Sequence, residues 1–291
     1  MFYSYGISQR GAYHIKNDIV CQDYHFVEKT NEGICVAVVA DGLGSEKYTD
    51  IASRIACEAA VKYCKEHICK DFSDDQIIEE IRNGFRFALD SICEEARINN
   101  QPETEYDTTL AFAVFIDRKV IYGQSGDSGI IALLGSGEYV PLTRQQRDEN
   151  GFVYPLAFTD HWEFGVRNNV ASILLVTDGI WETLFPCLLR NEEVKIYVVL
   201  AQYLMDNKYL EFEVNGEEAV FEKINKFISS ISENQVSDDK TVVCVVNSDV
   251  TTRKQSETYY AIPDWGNLKK KREEEFRRIA YPHLYNDKEK E

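Results

Sequence analysis

The chain has 291 residues, 44% of them hydrophobic and 28% charged, which is enough apolar material for one large domain or two small ones. Its 32 lysines and arginines face 49 aspartates and glutamates, a net charge of −17 that argues against nucleic acid and anionic membranes as partners. No apolar run is long enough to span a bilayer, and the opening Met1-Phe2-Tyr3-Ser4-Tyr5-Gly6 lacks the basic-then-apolar pattern of a signal peptide. The eight cysteines include no Cys-x-x-Cys pair, and Cys35, Cys57, Cys93 and Cys244 fall on apolar faces, so a reduced, cytoplasmic protein is expected. The five histidines do not cluster with the cysteines, which argues against a zinc site.

Residues 2–8 and 20–28 read as short strands, the second carrying Gln22 and Asp23. Val36-Ala37-Val38-Val39-Ala40 reads as a strand buried on both faces, followed at once by Asp41-Gly42-Leu43-Gly44. A helix is predicted over about 51–69, with Ile51, Ile55, Ala59 and Tyr63 four apart. Ser73-Asp74-Asp75-Gln76 matches a capping box and opens a second helix, whose stripe is Ile77, Ile78, Ile81, Phe85, Ala88, Leu89, Ile92 and Ala96.

Asp107-Thr108-Thr109 opens a strand to Ile116, and Asp117-Arg118-Lys119 turns it into Val120–Gly126, just before Asp127. Ile130–Leu134 and Glu138–Leu142 form a hairpin through Gly135-Ser136-Gly137. Residues 143–169 show no period and read as a long functional loop. A strand then leads into Asp178-Gly179 and a helical turn to Leu184; helices follow over 192–208 and 217–232, and Asp238-Asp239 precedes a last strand, 241–246. Strand-dense blocks alternating with helix pairs favour antiparallel sheets covered by helices.

Four apolar strands each carry an aspartate at one end. A lone aspartate there would merely start a turn. Four in the same relation suggest one acidic cluster at the edge of a sheet core, and clustered carboxylates call for hard divalent cations, Mg²⁺ or Mn²⁺. Residues 250–291 differ in composition: Asp264 would cap a helix carrying Trp265, Leu268, Phe276 and Ile279 on one side, with a solvated charged face over 269–278.

The order of these motifs resembles the metal-dependent protein phosphatases of type 2C, and more closely their compact bacterial members. Gly11-Ala12-Tyr13-His14 with Cys21-Gln22-Asp23, Ala40-Asp41-Gly42-Leu43-Gly44, Asp107-Thr108-Thr109, Gly126-Asp127-Ser128, Thr177-Asp178-Gly179-Ile180-Trp181 and Asp238-Asp239-Lys240-Thr241 match that family's motifs in sequence, over about residues 6–247. The resemblance implies an α+β fold, a four-layer αββα sandwich of two antiparallel sheets flanked by helices. It implies a catalytic domain over 1–249 and a C-terminal extension over 250–291. It makes Asp41, the carbonyl of Gly42 and Asp239 ligands of a centre of two Mn²⁺ or Mg²⁺ ions, completed by Asp23 and Asp178, with Asp127 helping to hold a possible third ion. The catalytic role then falls to Asp41, Asp239 and Asp178. The implied reaction is hydrolysis of phosphoserine or phosphothreonine in a protein substrate by metal-activated water. A monomer is expected.

Three departures from the family pattern stand out. Leu43 replaces a histidine proposed to protonate the leaving oxygen. A segment with Asp18, Gln22 and Asp23 replaces an Arg-x-x-x-Glu-Asp motif that carries a phosphate-binding arginine. Gly129 stands where an arginine usually follows Gly-Asp-Ser. Substrate contacts are therefore sought from Arg144 or Arg147 in the long loop, with Arg10 and Arg167 as further candidates and His14 as a site residue. Their simpler readings are pairing with Asp148, Glu149 or Glu163, and bracing of the amino-terminal strand. Trp181 and Trp265 read most simply as packing residues. Two rival functions remain open from sequence: a pseudophosphatase that binds without turnover, and a phosphatase for a small metabolite.

Overall fold

The computed structural model describes residues 1–30 and 33–284. Ten strands run in chain order: β1 (Phe2–Gln9), β2 (Asp23–Lys29), β3 (Ile34–Asp41), β4 (Leu110–Ile116), β5 (Lys119–Ser125), β6 (Gly129–Leu134), β7 (Tyr139–Pro141), β8 (Glu163–Asn168), β9 (Val170–Val176) and β10 (Lys240–Asn247). Among the described residues there are eight α-helices: α1 (Ala12–Lys16), α2 (Thr49–His67), α3 (Asp74–Ile98), α4 (Asp178–Leu184), α5 (Val198–Met205), α6 (Asn207–Leu210), α7 (Phe212–Ser230) and α8 (Trp265–Ala280). Among the described residues the strands form two five-stranded sheets, ordered β1-β10-β9-β6-β7 and β2-β3-β4-β5-β8. Every strand pair is antiparallel, giving the expected α+β sandwich.

Side-chain alternation explains the unbroken apolar runs. In β3, Cys35, Ala37 and Val39 face the opposing sheet, while Val36, Val38 and Ala40 face α2 and α3. In β10, Val243 and Val245 point between the sheets, and Val242, Cys244 and Val246 point to the other helix layer. Small residues such as Ala37, Ala111, Ala113 and Ala132 line the seam between the sheets. Helix α3 carries the predicted cap: the Gln76 N–H donates to Ser73 Oγ, and the Ser73 N–H donates to Gln76 Oε1.

Several expectations need correction. The buried face of α2 is not led by Ile51, Ile55 and Tyr63, which are only partly buried. Ala52, Ala56, Cys57, Ala60, Val61 and Cys64 fill it, because a helix lying flat on α3 and the sheet needs small side chains. The 143–169 stretch is not all loop: β8 pairs with the edge of β5. Its alternation, Phe164 and Val166 around Gly165, is too short to show above the surrounding polar residues. The helix predicted over 192–208 is the shorter α5, followed by α6 with Asp206 as its N-cap. Cys93 is half-buried rather than in the core, and all eight cysteines are free.

The tail docks in part. Leu268 is buried, and Trp265 meets Tyr197 edge-on at 5.2 Å between ring centroids. Upstream, the Tyr139 N–H donates to the Tyr259 hydroxyl at 2.8 Å, and Val250 is buried. Phe276 and Ile279, 68% and 74% exposed, do not dock on the core. Residues 285–291 of the extension lie outside the described residues.

Candidate metal centre

Strand direction delivers the acidic residues to one edge. Asp23 begins β2, Asp41 ends β3, and the two are register partners. In the other sheet β9 ends just before Asp178 and β10 begins just after Asp239; the strands are antiparallel neighbours, so these ends coincide. Asp127 sits in the tight turn Gly126-Asp127-Ser128 between β5 and β6. Thr177 ties the two sheets together there: its hydroxyl donates to Asp23 Oδ2 at 2.8 Å and accepts from the Thr241 N–H at 3.2 Å.

Main-chain donors and threonines fix each carboxylate. Asp239 Oδ1 accepts from the Gly11 N–H at 2.6 Å, and its Oδ2 accepts from the Gln22 N–H at 2.7 Å. His14, on α1 rather than beside a strand, places Nδ1 2.8 Å from Asp239 Oδ1, off the line of a hydrogen bond. The paired threonines hold the backbone of Asp41. Thr108 Oγ1 donates to its carbonyl at 2.9 Å, and its N–H donates to Thr109 Oγ1 at 3.0 Å. Thr109 also shares a hydrogen bond with Ser128 at 2.9 Å, which links this clamp to the Asp127 turn. Gly126 makes that approach possible: its φ is +96°, and a Cβ there would lie 2.5 Å from the Thr109 methyl. Gly42 pairs with Thr108, and its N–H donates to the Gln22 carbonyl at 3.1 Å.

Asp23, Asp127 and Asp239 are buried, Asp41 and Asp178 partly so. Burial first, then the charge of Asp239, raises the Asp23 carboxyl well above the usual range. Burial, then Asp23, Asp178 and Asp127, does the same to Asp41. Asp178 is pushed up to about 7, by burial and then by Asp127 and Asp238. Asp127 rises through burial, opposed by Arg147. Carboxylates this hard to ionise side by side form an all-oxygen donor set short of positive charge, which fits hard divalent cations. Among the described residues, only His14, exposed Asp238 and Asp239 offer donor atoms all within 4.8 Å of one another. Asp23, Asp41, Asp127 and Asp178 lie outside that set.

Basic residues divide sharply. Arg147 reaches the edge: Nε donates to Asp127 Oδ2 at 2.8 Å, and Nη2 donates to Asp178 Oδ2 at 3.0 Å. Arg144 is exposed and pairs with Glu163 at 2.7 Å. Arg10 donates to the Ile19 carbonyl at 3.2 Å. Arg167 lies exposed on β8 opposite Val120, several residues from the acidic end of β5.

A family model described as protein phosphatase 2C matches residues 10–207. The chain belongs to the protein phosphatase 2C family. No curated protein sequence matches it. Among solved structures, the serine/threonine phosphatase Stp1 from Staphylococcus aureus matches with a TM-score of 0.59 and 15% identity, over 85% of this chain and 96% of that one. A bacterial serine phosphatase matches with a TM-score of 0.59 and 13% identity, over 88% and 100%. The catalytic domain of the serine threonine protein phosphatase PstP, in complex with 2 manganese ions, matches with 0.55 and 16%, over 84% and 97%. At these identities the structures show a shared fold.

Within this phosphatase 2C chain the departure at Gly129 has a steric cause. A Cβ at Gly129 would lie 2.0 Å from the Trp181 ring, so the indole occupies the space where a longer side chain would begin. Trp181 thus holds α4, and Asp178 at its start, against β6. Sequence reasoning missed the bracing roles of Thr177 and Gln146. The position of Thr177 immediately before Asp178 was the available signal. Gln146 lies in a stretch without period and gave none.

Proposed function

We propose that this phosphatase 2C family member is a metal-dependent serine/threonine protein phosphatase. The observation that carries the reading is the convergence of Asp23, Asp41, Asp127, Asp178 and Asp239 on one edge, with burial and like charge raising four of them. Asp41, the Gly42 carbonyl and Asp239, with Asp23 and Asp178, would hold two Mn²⁺ or Mg²⁺ ions. Bound there, the ions would activate water and balance charge on a phosphoryl group.

The protein's own groups do the positioning. The Gly11 and Gln22 N–H groups orient the Asp239 carboxylate, Thr177 orients Asp23, and Thr108 with Thr109 fixes the chain at Asp41. Leu43 has no ionisable group, so protonation of the leaving oxygen falls to water or another group. A cleft of about 890 Å³, lined by Gln145, Trp181, Phe185, Arg190, Lys195 and Trp265, opens along α4, the helix that Asp178 starts. Eight free cysteines fit a reducing compartment such as the cytoplasm.

The test is Mn²⁺-titrated hydrolysis of phosphoserine and phosphothreonine peptides and of an aryl phosphate, with calorimetry. Asp41→Asn and Asp239→Asn should each lose Mn²⁺ affinity and nearly all turnover. Undiminished metal affinity in both variants would defeat the ligand assignment. Metal binding without turnover of any substrate would make the protein a pseudophosphatase.

A further inference from the structure

We propose that Arg147 is a tethered cation that fills the position between Asp127 and Asp178, so that the centre takes two divalent ions and excludes a third. The inference rests on the metal-centre reading above and changes its stoichiometry. Three observations carry it.

The first is the contact itself. Arg147 Nη2 lies 2.6 Å from Asp127 Oδ2 and 3.0 Å from Asp178 Oδ2, with the arginine side chain 31% exposed and the two aspartate side chains 3% and 23% exposed. A hard ion would need both oxygens at about 2.0–2.2 Å. A guanidinium nitrogen already in contact with both leaves no room for it, and the two positive charges would repel. Ion and arginine are therefore alternatives.

The second is the delivery of the side chain. Gln146, 7% exposed, is fastened on both sides. Its Oε1 accepts from the Gly126 N–H at 2.9 Å, its Nε2 donates to the His161 carbonyl at 2.8 Å, and its own N–H donates to the Gly126 carbonyl at 3.1 Å. Arg147 then pairs with Val153 across a closed turn, in which Asp148 Oδ1 accepts from the N–H groups of Asn150 and Phe152, both at 2.8 Å. The loop is anchored to the residue before Asp127, so Arg147 is presented to the carboxylates from a fixed base.

The third is the chemistry of competition. A planar guanidinium is weakly hydrated and matches carboxylates with a fork of donors. Held by a short, fixed stretch of chain, it acts at an effective concentration of about the millimolar range or above.

Arg147 is thus a positioning residue that holds Asp127 Oδ2 and Asp178 Oδ2 without an exchangeable ion and leaves the other oxygen of Asp178 to the two-ion centre. The experiment counts ions. Protein stripped with chelator is titrated with Mn²⁺, and free Mn²⁺ is read by electron paramagnetic resonance. Wild type should bind two ions and Arg147→Ala three. Adding Asp127→Asn to Arg147→Ala should return the count to two, which places the extra ion. Arg147→Met keeps the aliphatic stem and carries the same expectation as Arg147→Ala if the smaller residue impairs folding. Three ions on wild type, or two on both Arg147 variants, overturns the proposal and leaves the metal centre standing. No ion on wild type overturns the metal-centre reading and the proposal with it.

Discussion

Removing the charge of Asp178 should change how the metal-free protein responds to pH. The carboxyl is raised from 3.8 to about 7 by burial, then by Asp127 and Asp238, with Arg147 opposing. Between those values the folded state keeps a proton that the unfolded state has lost. Stability is therefore highest below the unfolded pKa and falls as pH rises to the folded one, becoming flat above it. Three units at about 1.4 kcal/mol each give a cost of about 4 kcal/mol at pH 8, an upper figure because the side chain keeps some solvent contact. His25 acts in the opposite sense. Burial lowers its imidazole from 6.5 to about 4, so its contribution is present above 6.5 and is lost as pH falls toward 4. Asp23, Asp41 and Asp127, also raised, act in the same sense as Asp178 and against His25, so the wild-type profile alone will not separate the contributions. Asp178→Asn will. In urea titrations with chelator present, the variant should gain stability over wild type as pH rises from 4 to 8, by a margin approaching about 4 kcal/mol. Saturating Mn²⁺ should reverse the ranking at pH 8, because cations bind the ionised carboxylate. A difference between variant and wild type that is the same at both ends of the pH range would refute the reasoning.

Gly129→Ala places a methyl group 2.0 Å from the Trp181 ring, and should cost about 1–3 kcal/mol in denaturant unfolding while lowering turnover by shifting α4. Deleting residues 250–291 uncovers the sites of Val250 and Leu268 and should remove about 3–6 kcal/mol; an unchanged melting temperature would show that the extension does not support the core. Arg144→Ala breaks only an exposed pair with Glu163, so the melting temperature and the KM for a phosphopeptide should both hold. A KM rise for the peptide but not for an aryl phosphate would instead make Arg144 a substrate contact.

The sequence by itself determined the acidic pattern and most of the elements. Asp41, Asp127, Asp178 and Asp239 each adjoin an apolar strand, and that adjacency is local. So are the capping box at Ser73 and the turn at Asp117, whose φ of +51° suits aspartate. The two-sheet architecture followed from the order of whole motifs along the chain. Contacts between distant segments were not legible. Strand β8 has meaning only as the partner of β5, and its own residues barely alternate. The buried side of α2 depended on how closely α3 and the sheet approach, which favours alanines over the larger residues that set the periodicity. The tail helix showed one apolar side, yet only its first turns meet the core; its end carries Phe276 and Ile279 into solvent. Arg147 and Arg144 stood level in sequence, ahead of Arg10 and Arg167. Only the folded chain, with Gln146 pinned to Gly126, decided that it meets Asp127 and Asp178, because ion pairing depends on distance through space and not along the chain.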